Sequence, residues 1–289
     1  MQGGSLAVFR LGDPNPVRAP AKVLAVHGIT ANSRAWLAVA RRLEGRAELL
    51  VPDLRGRGAS NALGPPYGMG AHARDMLAVL DHFGLERSVV VGHSLGAYIL
   101  ARFAVEHPER VSSLVLVDGG LTLPETAAVD PQRFLDAFLG PALARLRLTF
   151  GDRAEYHNWW RAHPAITGSD IAVEDLVAYA DHDLTGEEPN LRSAVSEKAV
   201  RGDAEELFEM GEPTHRLTLP AQLLCAPRGL LNEPNPMQPM SVVNAWAAEA
   251  PELRRAISVP DVNHYTIVMG DAGARVLANS IAEATGADP

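Results

Sequence analysis

The chain of 289 residues contains a single cysteine, Cys225. An internal disulfide needs two, so no covalent staple holds this fold together, which fits a reducing compartment. Cys225 lies in the apolar run Ala221-Gln-Leu-Leu-Cys-Ala226, where a buried, inert thiol is expected. Lysine is nearly missing as well: Lys22 and Lys198 stand against abundant arginine, a compositional bias that carries no function. No apolar run approaches the roughly 20 residues that span a bilayer. Met1-Gln-Gly-Gly-Ser5 lacks a basic segment followed by an apolar stretch, so no secretory leader and a cytoplasmic location are expected. Long basic runs are absent, and acidic residues outnumber basic ones 35 to 26, a formal charge of −9. Nucleic acid and anionic membrane surfaces are therefore not expected partners, whereas a small-molecule substrate is, and a homo-oligomer is compatible with the sequence. Neither a phosphate loop nor a dinucleotide fingerprint is legible. Asp181-His182-Asp183 has no second ligand cluster near it and reads as a solvated helix end, so neither metal nor cofactor is expected.

What is present begins with apolar residues, 47% of the chain, enough for a substantial core. Strand-like and helix-like segments alternate, the pattern of a parallel sheet covered by helices. Seven strands are legible, at residues 5–10, 22–26, 47–51, 89–91, 112–117, 221–226 and 256–259. Helices are expected at 33–43, 71–83, 97–107, 241–250 and 272–284. The alternation breaks at Gly119-Gly120. From 121 to 217 the chain reads as helices without a clear strand, at 131–149, 153–162, 173–180 and 191–208. The expected organisation is an α/β core from residues 1–120 and 218–289, with an all-helical cap, 121–217, over the carboxyl edge of the sheet. In open α/β sheets, ligands bind in the crevice at that edge.

The most informative segment is Val89-Val90-Val91-Gly92-His93-Ser94-Leu95-Gly96. A β-branched run ends in Gly-x-Ser-x-Gly and passes into a helix, the context that holds a serine on a strained turn with its hydroxyl exposed. The alternative reading of Ser94 is a helix N-cap. A serine nucleophile needs a base, and His264 is the candidate. It follows the last strand and precedes the last helix, in Val259-Pro-Asp-Val-Asn-His264-Tyr-Thr. The base needs an acid to fix its tautomer. Asp118, at the end of the strand after Ser94, is one candidate. Glu233, in the Pro227–Pro234 loop, is the alternative, and Asn232 and Asp261 stay open. For a tetrahedral oxyanion, donors are expected from the backbone N–H groups of Leu95 and of Ile29 in His27-Gly28-Ile29-Thr30. The cap offers Phe134, Phe138, Phe150, Tyr156, His157, Trp159, Trp160 and Tyr179. Because adjacent helical residues face apart, one of Trp159 and Trp160 is expected to pack and the other to contact substrate, with Tyr265 as a further contact.

These residues also carry a resemblance. With His27-Gly28, Asp53-Leu-Arg-Gly-Arg-Gly-Ala-Ser60, Gly92-His-Ser-Leu-Gly96, Val117-Asp118-Gly119 and Asn263-His264, the chain resembles the α/β-hydrolase superfamily, nearest its cap-bearing serine esterase, lactonase and C–C hydrolase branch. The resemblance implies an eight-stranded, mostly parallel sheet. It also implies hydrolysis of a carboxylic ester, lactone or thioester, with two rivals: C–C cleavage of a vinylogous diketone, and a non-catalytic receptor on the same fold. The pattern departs from the superfamily at Gly229-Leu-Leu-Asn232, where an acid is common. Asp118 matches a minority position for that acid. The Asp53–Ser60 run is read as a structural loop beside the site.

Overall fold

The computed structural model describes residues 4–13, 20–123, 130–206 and 209–287, the side chains of Pro131, Phe134, Ala137 and Phe138 excepted. Its strands are β1 (Val8–Leu11), β2 (Ala21–Val26), β3 (Ala47–Pro52), β4 (Ser88–His93), β5 (Val111–Val117), β6 (Leu184–Thr185), β7 (Arg192–Ser193), β8 (Ala221–Cys225) and β9 (Arg254–Ser258). The α-helices are α1 (Leu37–Arg42), α2 (Met69–His82), α3 (Leu95–Glu106), α4 (Pro131–Phe138), α5 (Gly140–Arg145), α6 (Arg153–Arg161), α7 (Val173–His182), α8 (Glu197–Asp203), α9 (Glu212–His215), α10 (Met240–Ala248), α11 (Thr266–Met269) and α12 (Asp271–Thr285).

Seven strands form one sheet in the order β1-β3-β2-β4-β5-β8-β9, parallel except for β1 at the edge. Alternation along each strand divides the core in two. Val23, Ala25, Val89, Val91, Val115 and Val117 pack on one face with Val39 of α1 and Leu277 and Ile281 of α12. Leu24, Val26, Val90, Leu114 and Leu116 pack on the other with Met76 and Leu80 of α2 and Ile99 and Phe103 of α3. Strands buried on both faces read as continuous apolar runs, which is why β4 and β5 are so plain in the sequence.

The strand count is seven among the described residues, where the resemblance implied eight. Upstream of β1 the described chain is only Gly4-Ser5-Leu6-Ala7, too short to supply a further paired strand, and it extends the ladder by one bond, Asp53 N–H to Ala7 O. The segment between β5 and β8 is also not purely helical. β6 and β7 form a small antiparallel ribbon, and Phe150 bridges Leu191 beside it. The helix expected at 191–208 therefore starts only at Glu197, where the Ser196 side chain caps it by accepting from Ala199 N–H. The helix expected at 131–149 is two, α4 and α5.

The order of strands matters for the site. The chain runs from β2 outward to β3, then returns to place β4 on the other side of β2. This reversal opens a crevice at the carboxyl ends of β2 and β4, where helices leave the sheet in opposite directions. The loop after β2 and the turn after β4 are neighbours there.

Candidate active site

Ser94 sits between β4 and α3 with φ 54° and ψ −120°, a conformation that L-residues rarely adopt. Such strain costs on the order of 1–3 kcal/mol and persists only where the surroundings enforce it. Here they do: Ser94 N–H donates to Val117 O (2.9 Å), and Ala97 N–H donates to Ser94 O (2.9 Å). The turn is so tight that its neighbours must be glycine. A Cβ on Gly96 would run into the Val26 carbonyl, and one on Gly119 would lie 2.7 Å from Ser94 O.

His264 reaches the same place from the loop after β9. Asn263 fixes that loop, its Oδ1 accepting from the N–H groups of Tyr265 and Thr266 (both 2.9 Å) at the start of α11. His264 Nδ1–H donates to Asp118 Oδ2 at 2.7 Å, with both side chains buried. The bond leaves Nε2 as the ring's proton-accepting atom. Asp118 is itself in a left-handed conformation, φ 45°, and its Oδ1 accepts from Ala226 N–H (3.2 Å). Ser94 and His264 line one cavity, and no hydrogen bond joins them directly. In serine hydrolases this contact commonly tightens as substrate binds.

The other acid candidates stand elsewhere. Glu233 is exposed and curls back onto its own loop, accepting from Leu231 N–H (2.7 Å). Asn232 accepts from Asn263 Nδ2 (3.2 Å) rather than meeting the imidazole, and Asp261 is exposed.

The amides of Ile29 and Leu95 both line the cavity and donate no hydrogen bond to the protein. Their orientation follows from peptide planarity, since N–H and C=O of one trans peptide point apart. Gly28 O, in the same peptide as the Ile29 N–H, accepts from Ala31 N–H (3.2 Å) and His27 Nδ1–H (2.8 Å). Ser94 O, in the same peptide as the Leu95 N–H, is engaged by Ala97. The two free N–H groups therefore point away from these bonds.

Two histidines that flank the turns have structural duties. His27 Nε2 accepts from Leu54 N–H (3.0 Å), and burial pushes its pKa down to about 4. His93 Nε2–H donates to His264 O (2.9 Å), and burial followed by the charge of His264 holds its pKa well below the ordinary value. His93 thus supports the backbone of the candidate base, a contact with no local signal in the sequence.

The cavity walls are apolar: Leu123, Leu135, Leu139, Met210, Leu230 and Met237, with Tyr179 and Tyr265. No Lys, Arg, Asp or Glu lines it among the described residues. Trp159 and Trp160 are not part of that wall. Trp160 is buried against Tyr156, Tyr179, His163 and Tyr265, and Trp159 stacks on Tyr156, so both belong to the packing around α6 and α7. Phe134 and Phe138 have side chains outside the described residues.

Asp181-His182-Asp183 is not a solvated helix end. His182 Nε2–H donates to Asp53 Oδ2 (2.7 Å), and His157 and Arg153 pair with Asp181 (both 2.9 Å). Asp183 is buried against Arg145, Tyr156 and Ser193. These contacts join α5, α6 and α7 to each other and to the Asp53 loop, which a linear reading has no means of showing.

Comparison with known proteins agrees with this architecture. A family model described as the alpha/beta hydrolase fold matches residues 22–170. Lipase LipV of Mycobacterium tuberculosis is 34% identical over 139 residues, 47% of this chain and 52% of that protein. A putative carbamate hydrolase, RutD of Klebsiella pneumoniae, is 40% identical over 106 residues, 36% of this chain and 40% of that protein. The chain thus spans between a third and about half of the length of the curated relatives it matches. Among solved structures, an E-2-(acetamidomethylene)succinate hydrolase has TM-score 0.76 at 20% identity, covering 98% of this chain and 95% of its own. An esterase of Thermogutta terrifontis has TM-score 0.66 at 22% identity, covering 96% and 92%. At such identities the likeness shows the fold. With the family match extending over more than half of its length, this chain belongs to the α/β-hydrolase fold family.

Proposed function

We propose that this protein is a serine hydrolase cleaving a small-molecule carboxylic ester, thioester or lactone through an acyl-enzyme intermediate. The observation that carries the reading is the strained Ser94 turn opening into the same cavity as an imidazole whose Nδ1 is held by buried Asp118 at 2.7 Å. In this mechanism His264 Nε2 takes the Ser94 proton as Oγ attacks the acyl carbon. Asp118 keeps the tautomer and stabilises the imidazolium. The N–H groups of Ile29 and Leu95 donate to the oxyanion, each such donor contributing about 3 kcal/mol to the barrier reduction. His264 then protonates the leaving group and activates the water that releases the acid.

The walls bear on the acyl group. An apolar cavity lined by no cation among the described residues favours neutral, hydrocarbon-like acyl chains, and the methionines Met210, Met237 and Met269 adapt to chains of varied shape. Among the similar proteins, one is named a lipase and one an esterase, which supports ester cleavage. A fluorophosphonate probe provides the test. It should label the wild-type protein at Ser94, and Ser94→Ala should abolish both labelling and hydrolysis of p-nitrophenyl esters. A folded wild-type protein that stays unlabelled, or an alanine variant with intact turnover, overturns the proposal.

A further inference from the structure

Two buried arginines from different parts of the chain reach consecutive carbonyls of the turn after β2. Arg57 Nε–H donates to Ile29 O at 2.9 Å, and Arg145 Nη2–H donates to Thr30 O at 3.0 Å. We propose that Arg57 and Arg145 are positioning residues, which hold the Ile29 N–H in its oxyanion-facing orientation and tie that turn to the cap. The proposal rests on the serine-hydrolase reading of the site.

The geometry of the turn supports it. Gly28 O is held by His27 and Ala31, Ile29 O by Arg57, and Thr30 O by Arg145. Three successive peptide planes are thereby set by their carbonyls. A flip of the plane between Gly28 and Ile29 would present an oxygen where the N–H now stands, turning attraction for an oxyanion into repulsion. Pinning the planes that follow removes the slack through which such a flip proceeds.

Each guanidinium also ends on a carboxylate from the segment between β5 and β8. Arg57 Nη2 lies 2.6 Å from Asp203 Oδ2 in α8, and both side chains are fully buried. The same carboxylate accepts from His72 Nε2–H (2.9 Å) and Gly68 N–H (2.8 Å). Arg145, in α5, pairs through Nη1 with Asp183 and with the Tyr156 hydroxyl (2.6 Å), leaving Nη2 for Thr30. A charge pair alone needs one nitrogen. Here the planar fork is divided, one arm on the carboxylate and another on the turn, a division that lysine's single nitrogen does not reproduce.

Arg57→Lys and Arg145→Lys use this difference, since each retains the cation beside its aspartate while releasing the carbonyl. The expected result is a kcat lower by about 10–100-fold with KM nearly unchanged, because the loss is felt where the oxyanion forms. Affinity for a trifluoromethyl ketone, whose hemiketal oxyanion occupies the same position, should fall by the same factor as kcat/KM. Melting curves report folding; if a lysine variant does not fold, Arg145→Met combined with Asp183→Asn removes both charges and is read in the same way. Unchanged kcat and inhibitor affinity, or a rise in KM at constant kcat, overturns the proposal. Wild-type protein that fails to react with a fluorophosphonate removes the serine-hydrolase reading and this proposal with it. Labelled wild type with unaffected lysine variants removes this proposal alone.

Discussion

Asp118 shows how much one hydrogen bond decides. Its position at the end of β5 was legible as a strand terminus, but so was the loop bearing Glu233 and Asn232. What separates them is that Asp118 is buried with its Oδ2 at 2.7 Å from His264 Nδ1, whereas Glu233 is exposed and bonded to its own loop. Under the proposed mechanism, Asp118→Asn should lower kcat by about 10³–10⁴-fold, because an amide there favours the wrong imidazole tautomer. Glu233→Gln should leave kcat unaltered. Steady-state rates on p-nitrophenyl butyrate check both, and a greater loss in the Glu233 variant would assign the acid to the other loop. The buried arginines mark the reverse case. Arg145 stands in an ordinary helical stretch, and nothing adjacent to it announces a partner 38 residues further on at Asp183.

The β4–α3 turn pits two effects against each other at Gly96. Alanine is the better helix former by about 1 kcal/mol. Against this, the added methyl would meet the Val26 carbonyl, and backbone has little room to yield. Overpacking of a rigid site typically costs about 1–3 kcal/mol and sometimes more, so the clash should win. Gly96→Ala is expected to lower the urea midpoint and to slow turnover together; a more stable variant would contradict the packing argument. The helices that follow β5 raise a separate expectation. Leu135 of α4 joins Leu139 and Leu143 in a small core, and Leu135 and Leu139 present apolar surface to the cavity. A carboxylate at the end of the acyl chain would be buried there with no cation among the described lining residues, a cost of several kcal/mol. Esters of butyrate or hexanoate should therefore exceed the corresponding hemisuccinate ester in kcat/KM by more than about 100-fold, as measured on matched leaving groups. Comparable rates would show that the acyl chain does not enter this cavity.

Histidines buried in the sheet core and in the segment between β5 and β8 make stability depend on pH. Burial pulls the pKa of His27 and His163 down to about 4, and that of His93 well below its ordinary value. His27 and His163 are therefore mostly neutral in the folded protein at pH 5, whereas in the unfolded chain histidines are mostly protonated below 6.5. Their neutral-state stability is complete above pH 6.5 and is lost as the pH falls towards the folded values. Between pH 6 and 5, the shifts of His27 and His163 mean that unfolding should take up about two protons, a slope of about 3 kcal/mol per pH unit, with His93 acting in the same direction. Urea unfolding at a series of pH values measures it, and His163→Gln should lower the slope by about 1 kcal/mol per pH unit. A flat profile between pH 7 and 5 would mean that these rings are solvated. No helix among the described residues is long and apolar enough to cross a membrane.

The strand–turn–helix around Ser94, the apolar runs of β2, β4 and β5, and the break in strand–helix alternation after Gly119-Gly120 were all readable in the linear order of residues. Each is a short-range property, set by side-chain period, β-branching and glycine at a tight turn. The hydrogen bond between Asp118 and His264, the exclusion of Trp159 and Trp160 from the cavity, the ribbon of β6 and β7 and the burial of Asp183 emerged only once the chain was folded. Those features depend on groups tens to more than a hundred residues apart meeting where water is excluded, and local periodicity carries no record of which distant partner arrives.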